Sequence, residues 1–139
     1  MKFKFGKYTI TFAEVSAGFH GVIPVLPVAD VDATLAYYRD VLGFSVEGRH
    51  RDDESGDVVF GSVLCGEANF YFSKTQNPPA ANHCMVFVDG VDELCATFKA
   101  RGARILAEPA DQPWGYRQFT LQDLNGHVFD YFRFSDGVE

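Results

Sequence analysis

Two segments of this chain begin with almost the same residues, Val28-Ala29-Asp30-Val31-Asp32 and, sixty positions later, Val88-Asp89-Gly90-Val91-Asp92. The same interval relates Gly66-Glu67-Ala68-Asn69-Phe70-Tyr71-Phe72 to Gly126-His127-Val128-Phe129-Asp130-Tyr131-Phe132. A repeat of fixed period indicates a duplicated supersecondary unit. The chain therefore reads as two copies of one unit, and each residue can be compared with the residue sixty positions away.

The first copy contains the pattern of one helix and four strands. Residues 23–28 are apolar and β-branched, as in a strand, and their two prolines favour the margin of a sheet or a subunit seam. Asp30 is a typical helix N-cap, apolar residues over 31–42 recur on one helix face, and Gly43 ends the helix. Three short apolar stretches follow as strands, with a turn predicted over residues 49–57.

The second copy repeats this order from residue 83 onward. Residues 104–107 read as a strand, residues 108–114 as a loop, and Asn125-Gly126 as a tight turn between the last two strands. Each unit is therefore β-α-β-β-β, and the fold class is α+β. Alternating apolar and polar residues before the repeat predict an N-terminal strand or a hairpin about Gly6.

These patterns set the organisation of the chain. The predicted parts are an N-terminal extension at 1–19, a single domain at 20–134 (unit one 20–74, linker 75–82, unit two 83–134) and a tail at 135–139.

The composition fits one globular domain and argues against several classes of partner. A net charge of −7 over 139 residues disfavours nucleic acid, whose phosphates require clustered Lys and Arg. No apolar run approaches the ~18 residues of a membrane span. Three cysteines without CxxC spacing indicate reduced thiols and a cytoplasmic protein. Fourteen Phe and six Tyr indicate either a dense core or an aromatic-lined pocket.

The chain resembles the vicinal-oxygen-chelate superfamily, which includes glyoxalase I, extradiol dioxygenases and bleomycin-resistance proteins. The resemblance covers about residues 20–134. The residues that carry it are 23–28, 37–44, 113–117 and 123–127. The helix ending in Leu42-Gly43-Phe44, and Pro113-Trp114-Gly115 before a strand, are most similar to the bleomycin-resistance branch. The resemblance implies two tandem βαβββ units that form a cup-shaped mixed sheet, and a homodimer.

The resemblance also provides a test for a metal centre. Metal-dependent members place a His in the first strand and a Glu in the last strand of each unit, where a divalent ion chelates substrate oxygens. Here His83 and Asp130 occupy the second-unit positions, but the residues sixty positions earlier are Ile23 and Phe70, which have no lone pair to donate. We therefore expect no metal and no cofactor, and we expect His83 and Asp130 either to hydrogen-bond each other or to cap a polar floor. The alternative is a weak site for zinc, nickel, manganese or iron on these two residues.

The remaining histidines are not expected to bind a metal, and the sequence shows no catalytic motif. His20, His50 and His127 fall outside the expected ligand positions and are interpreted as solvated side chains, although a metal site that uses His20 is an open alternative. The sequence shows no nucleophile–base–acid arrangement and no glycine-rich phosphate loop. We therefore predict no catalytic residues.

Alternation along the strands then predicts a ligand pocket with an apolar, aromatic lining and two polar groups at one end. Trp114, on the loop before the seventh strand, either stacks on the ligand at the rim or pins the loop to the core. Arg117 either stacks or pairs nearby or lies on the surface. The alternative for the whole lining is self-packing, or packing against a partner subunit, without a cavity. The predicted ligand-binding residues are Ile23, Val25, Phe70, Phe72, His83, Met85, Phe87, Trp114, Arg117, Asp130 and Phe132.

Together these features predict a dimeric, metal-free small-molecule binding protein similar to the bleomycin-resistance proteins. It would sequester an aromatic or cationic ligand, such as a bleomycin-like antibiotic, in grooves built partly at the subunit interface. Resistance by sequestration needs tight binding and no chemistry. The alternative is an enzyme, a metal-dependent lyase, isomerase or dioxygenase centred on His83 and Asp130. A catalytically silent partner subunit is a third interpretation.

Overall fold

The computed structural model describes residues 2–5, 8–11, 18–77 and 81–135, and it confirms an α+β fold of two βαβββ units with an N-terminal hairpin. The predicted turn at Gly6 and the tail from residue 136 onward lie outside the described residues. The elements in chain order are β1 (Lys2–Phe5), β2 (Tyr8–Thr11), β3 (Val25–Val28), α1 (Val31–Asp40), β4 (Ser45–Arg51), β5 (Val58–Cys65), β6 (Ala68–Lys74), β7 (His83–Phe87), α2 (Val91–Ala100), β8 (Arg104–Asp111), β9 (Tyr116–Gln122) and β10 (Val128–Phe134).

Each unit builds one mixed four-stranded sheet. The strand order is β3-β6-β5-β4 in unit one and β7-β10-β9-β8 in unit two. In both sheets the first strand of the unit pairs in parallel with the last, and the remaining neighbours are antiparallel. The first strand of unit one lies at a sheet edge, as its prolines predict, because an edge strand tolerates a residue without a backbone N–H.

Helix α1 packs on its sheet through one apolar face. Asp30 caps the helix as predicted, accepting a hydrogen bond from the Ala33 backbone N–H at 2.9 Å. Leu35 and Tyr38 are buried against the sheet. A Cβ at Gly61 of β5 would come within 2.9 Å of the Leu35 side chain, so this glycine permits the close approach of helix and strand. Neither this helix nor any other in the described part of the chain is long and apolar enough to cross a membrane.

Strands β4 and β8 extend further than the sequence predicted. Residues 49–51 and 108–111 continue these strands, where a turn and a loop were expected. Both strands lie at sheet edges and are largely exposed, so no apolar run or alternation marks their ends. Backbone pairing defines them instead, with Arg51 opposite Val58 and Asp111 opposite Arg117.

The register of the strands shows that equivalent residues of β6 and β10, the last strands of the two units, are one position closer in the sequence than the sixty that separate β3 from β7. Val25 of β3 lies opposite Tyr71 of β6, and Met85 of β7 lies opposite Asp130 of β10. Since Val25 and Met85 are sixty residues apart, the residue equivalent to Asp130 is Tyr71 and not Phe70. Side chains alternate along a strand, so a shift of one residue moves every side chain to the opposite face.

A buried polar network joins the two units. Tyr38 on α1 donates its hydroxyl to Asp123 Oδ2 at 2.7 Å, and Asp123 Oδ1 accepts from the backbone N–H groups of Asn125 and His127 at 2.8 and 2.9 Å. Tyr38 is 1% exposed and Asp123 5% exposed. Burial, followed by the neighbouring Asp123 carboxylate, raises the pKa of Tyr38 well above its usual value.

His127 is a second anchor between the units, and its interpretation as a solvated residue is wrong. The ring is 1% exposed. Its Nδ1 accepts from the Asn82 backbone N–H at 3.0 Å, which assigns the ring proton to Nε2, and Nε2 lies 2.8 Å from the Pro27 carbonyl oxygen. The imidazole therefore ties β3 to the residues that lead into β7. His20 and His50 are exposed, as predicted.

The helix sides of the two sheets meet in one shared core. Phe129 of β10 packs against Tyr38 and Phe70 of unit one, with ring centroids 6.2 and 5.4 Å apart. The buried residues of both units form a single apolar cluster. Because the helix-side faces meet inside, the opposite faces of both sheets point outward; we call them the outer face of unit one and the outer face of unit two.

The substitution Tyr38→Phe is expected to lower the free energy of unfolding by about 1–3 kcal/mol, because Asp123 stays buried and loses a hydrogen-bond donor. Tyr37→Phe is the matched control, since Tyr37 is the neighbouring half-buried tyrosine and its hydroxyl has no hydrogen bond among those described. Urea denaturation at pH 7 measures both variants. Equal losses in the two variants would contradict a specific role for the Tyr38 hydroxyl.

Alkaline pH provides an independent test of the same contact. The folded-state pKa of Tyr38 lies above its ordinary value of 10.0, so its contribution to stability is present below that value and is lost as pH rises above it. Tyr37, whose pKa is raised to about 12 mainly by burial, titrates in both proteins. Unfolding free energies measured from pH 9 upward should therefore fall more steeply for the native protein than for Tyr38→Phe. Parallel curves would show that the prediction is wrong.

Candidate functional site

The outer face of unit two presents a row of apolar and polar side chains. Met85 and Phe87 of β7 point to this face, whereas Val86 between them is buried in the core. The parallel register sets Asp130 of β10 opposite Met85 and Phe132 opposite Phe87, which places all four on the same face. The predicted second-unit lining is therefore assembled on one surface.

The polar end of this face is a His–Asp pair supported by a threonine. His83 Nε2 lies 2.6 Å from Asp130 Oδ2, and Thr120 donates its hydroxyl to Asp130 Oδ1 at 2.5 Å. The predicted hydrogen bond between His83 and Asp130 is thus present. Asp130 is 8% exposed, whereas the His83 side chain is 61% exposed. Since both carboxylate oxygens have partners, the group that faces solvent here is the imidazole.

An open group of aromatic rings occupies the other end of the outer face. Tyr116 stacks on Phe132 with ring centroids 4.6 Å apart and an angle of 24° between the planes. Phe87 contacts Phe132 at 5.0 Å and Phe134 at 5.3 Å. We call Phe87, Tyr116, Phe132 and Phe134 the aromatic cluster. Phe87 is 58% exposed and Phe134 is 50% exposed, so ring surface is available for stacking.

Trp114 lies at the rim of the outer face. It occupies the turn between β8 and β9, is 60% exposed, and donates its indole N–H to Gln118 Oε1 at 3.4 Å. Gln118 lies opposite Phe132 and so belongs to the same face. An indole this exposed does not pin the loop to the core, which favours the rim position, and stacking on a ligand stays a prediction.

Phe70 and Phe72 do not share a face with Val25, contrary to the prediction. They are 4% and 0% exposed and contact the ring of Tyr38 in the core, at centroid distances of 6.2 and 4.8 Å. The error follows from the sixty-residue interval, which assigns the last strand of unit one to the wrong face. Val25, which is 54% exposed, lies opposite Tyr71 on the outer face of unit one.

Arg117 lies on the helix side of its sheet and away from the outer face. Along β9, Tyr116 and Gln118 point to the outer face, so Arg117 between them points to the other. Its guanidinium donates to Asp92 at 2.7 and 2.8 Å and to Asp111 at 3.3 Å. These carboxylates raise the pKa of Arg117, and Arg117 lowers the pKa of Asp92. The residue therefore links the first turn of α2 to β8 and β9, and the predicted place beside the ligand is wrong.

A cleft of about 490 Å³ lies between the two units and reaches the outer face along β7. Of the predicted lining it contains only Phe70, Met85 and Phe87, and its other walls include Phe44 of unit one and Leu94 of α2. The single hollow expected from the sequence is thus replaced by a cleft between the units and an open face on unit two. Met85 and Phe87 belong to both.

The side chains at the family's metal positions do not fit a four-ligand site. The equivalent residues are Ile23, Tyr71, His83 and Asp130; Ile23 is 39% exposed and offers no donor atom. The ring of Tyr71 packs edge-on against Phe60 at 5.2 Å, and His83 and Asp130 are hydrogen-bonded to each other. Among residues 18–77 and 81–135 no three His, Cys, Asp or Glu side chains converge as metal ligands would.

Some residues of the outer face were not found by sequence reasoning. The aromatic rings of Tyr116 and Phe134 and the hydroxyl of Thr120 join the site because β9 pairs with β10 in a register that sets Tyr116 opposite Phe134 and Thr120 opposite Asp130. The alternation of side chains along β9 indicates that Tyr116 and Thr120 share one face of that strand. The pairing register was needed to show which of its two faces meets Asp130.

Comparison with known proteins agrees with this architecture. The family model described as Glyoxalase/Bleomycin resistance protein/Dioxygenase superfamily matches residues 20–131. A bleomycin resistance protein from Geobacillus stearothermophilus is 25% identical over an alignment that covers 80% of this chain and 94% of that protein.

Two solved structures illustrate the likeness in fold. TioX from Micromonospora sp. ML1 has a TM-score of 0.73 and 26% identity, with 84% of this chain and 99% of that one covered. A bleomycin-binding protein complexed with bleomycin has a TM-score of 0.67 and 24% identity, with 81% and 97% covered. At that identity, the second likeness concerns the fold alone.

Because the donor set is incomplete, we expect the purified protein to bind zinc, nickel, manganese and iron(II) more weakly than micromolar, with no loss of affinity on His83→Ala. Elemental analysis after purification and calorimetric titration of each ion measure this. His50→Ala, an exposed histidine on β4, is the control for nonspecific imidazole binding. A stoichiometric metal that His83→Ala removes and His50→Ala does not would contradict the expectation.

Proposed function

Because this chain belongs to the Glyoxalase/Bleomycin resistance protein/Dioxygenase superfamily, we propose that it binds and sequesters an aromatic or cationic small molecule on the outer face of unit two without a metal. The observation that carries the proposal is the aromatic cluster, whose rings Phe87 and Phe134 are half exposed on the same face as the His83–Asp130 pair and at its opposite end. Exposed apolar surface of this kind, rimmed by polar groups, is typical of ligand grooves and protein interfaces.

The chemistry of the face supports this ligand class. Ring faces stack on planar heterocycles and attract cations. The net charge of −7 favours the approach of a cation through long-range attraction. A bleomycin-like antibiotic combines aromatic and cationic groups, and the similar proteins named for bleomycin make it the first ligand to test. We expect the protein to act in the cytoplasm, where its three free cysteines would stay reduced.

We further propose that the protein works as a homodimer whose second copy helps to enclose the groove. Four apolar residues on the outer faces are each about half exposed. Val25 lies on the outer face of unit one, and the other three, Met85, Phe87 and Phe134, lie on that of unit two. A lone soluble domain seldom leaves so many large apolar side chains open on its sheets. A second copy placed against these faces would cover them and turn an open surface into a groove.

Bleomycin is expected to quench the fluorescence of Trp114, the one tryptophan of the chain, because the indole stands at the rim of the proposed site. The Phe87→Ala substitution should weaken binding about tenfold, which corresponds to ~1.4 kcal/mol for the loss of one stacking ring. Fluorescence titration measures the Kd. Leu124→Ala, a 47% exposed leucine in the turn before β10, is the matched control and should leave the Kd unchanged.

Planar dyes provide a second set of ligands for the same titration, with thermal shift as an independent readout. A ligand at one hundred times its Kd should stabilise the native protein by about 2.7 kcal/mol. If neither bleomycin nor a planar aromatic dye binds, the proposed function is wrong.

The substitution Val25→Glu is expected to reduce the mass in solution from twice the 15.5 kDa of one chain to that of a monomer. A charge placed on an apolar interface is desolvated without a partner, which opposes association. Light scattering coupled to gel filtration measures the mass. Leu124→Glu introduces the same charge at an exposed leucine in the turn between β9 and β10, outside the strands that form the outer faces, and should remain dimeric. A native protein with the mass of one chain would refute the dimer.

A further inference from the structure

The neutral imidazole of His83, at the polar end of the outer face, presents one hydrogen-bond acceptor in a fixed direction. An ionised Asp130 carboxylate only accepts hydrogen bonds, so the proton between it and His83 lies on Nε2. In the neutral imidazole the other nitrogen, Nδ1, then carries a lone pair. Within the described residues no hydrogen bond to this nitrogen is found, and the His83 side chain is 61% exposed. The ring is therefore held at one nitrogen and available at the other.

The support behind His83 makes it a rigid recognition group. Thr120 and His83 hold the two carboxylate oxygens of Asp130 at 2.5 and 2.6 Å, and Asp130 itself is 8% exposed. A buried acceptor with both oxygens engaged fixes the orientation of its partner, because rotation of either side chain would leave a buried polar group without a partner. Asp130 and Thr120 are thus positioning residues for the imidazole.

The distance along β7 sets the shape of a ligand that uses both ends of the face. His83 and Phe87 are four residues apart on one strand and point the same way, which separates them by roughly 13 Å at ~3.3 Å per residue. Met85 lies between them and is 49% exposed, so the surface that joins the two ends is apolar. The aromatic cluster surrounds Phe87 at the far end.

On the basis of the proposed function, we infer that the ligands are elongated aromatic molecules with a hydrogen-bond donor at one end. This donor is a phenolic hydroxyl or a ring N–H. The ring system of the ligand lies along Met85 and the aromatic cluster, and its donor meets His83 Nδ1. The imidazole selects among aromatic ligands, whereas the rings supply most of the affinity.

A pair of rod-shaped dyes tests this selection. Para-phenylazophenol carries a hydroxyl donor at one end, and its methyl ether, para-methoxyazobenzene, has the same ring system without the donor. The native protein at pH 7 should bind the phenol about three- to tenfold more tightly, the range that one hydrogen bond supplies. In His83→Phe, which keeps a ring and removes both nitrogens, the ratio should fall to about one while the Kd of the ether stays the same. His50→Phe, at an exposed histidine on β4, should keep the native ratio.

A second readout separates positioning from packing. Nitrogen chemical shifts of His83 should report the Nε2–H tautomer in the native protein, and Asp130→Asn should lose this preference. The same variant should lower the preference for the phenol over the ether without raising the Kd of the ether. Equal binding of both dyes by the native protein would overturn this inference and leave the proposed function intact. Failure of the native protein to bind either dye would overturn the inference, and failure of bleomycin as well would overturn the proposed function.

Discussion

The hydrogen bond from Tyr38 to Asp123 is the contact on which the arrangement of the two units depends. A carboxylate 5% exposed to solvent is costly unless its oxygens are satisfied, and here one donor comes from unit one and two come from the turn that contains the carboxylate. Thr34 accepts from the Asn125 side chain at 3.1 Å, and His127 reaches Pro27. A docking of helix α1 that separated these residues would therefore leave buried polar groups unpaired.

This docking decides where the candidate site lies. Because the helix sides of both sheets meet in one core, the faces that carry Val25 and Met85 point outward and are half exposed. The turn between β9 and β10 also starts the strand that bears Asp130 and Phe132, so one structure anchors the units and places the site. The open faces explain why a chain rich in Phe has both a dense core and exposed rings.

The second-unit positions that hold metal ligands in the resembled enzymes support different chemistry here. His83 and Asp130 bond to each other and to Thr120, while the first-unit positions hold Ile23 and Tyr71, so the polar groups form a hydrogen-bonding end to an apolar surface. Such a surface can bind a molecule through its rings, and the hydrogen-bonding imidazole, which the carboxylate holds in place, can orient that molecule. Affinity from stacked rings and selectivity from one acceptor are physically separable contributions.

The sequence by itself determined the two βαβββ units, the Asp30 cap and the edge position of the strand with Pro27, because caps, helix faces and strand alternation depend on near neighbours. The contact between His83 and Asp130 was expected from the family resemblance, since these residues are far apart in the sequence. Tertiary structure alone decided which residues share a face. Val25 and its partner Tyr71 are 46 positions apart (71 − 25), whereas Met85 and its partner Asp130 are 45 apart (130 − 85), and this difference of one residue places Phe70 in the core and Tyr71 on the outer face. The burial of His127 and the pairing of Arg117 with Asp92 likewise depend on chain segments brought together by folding, which no local pattern encodes.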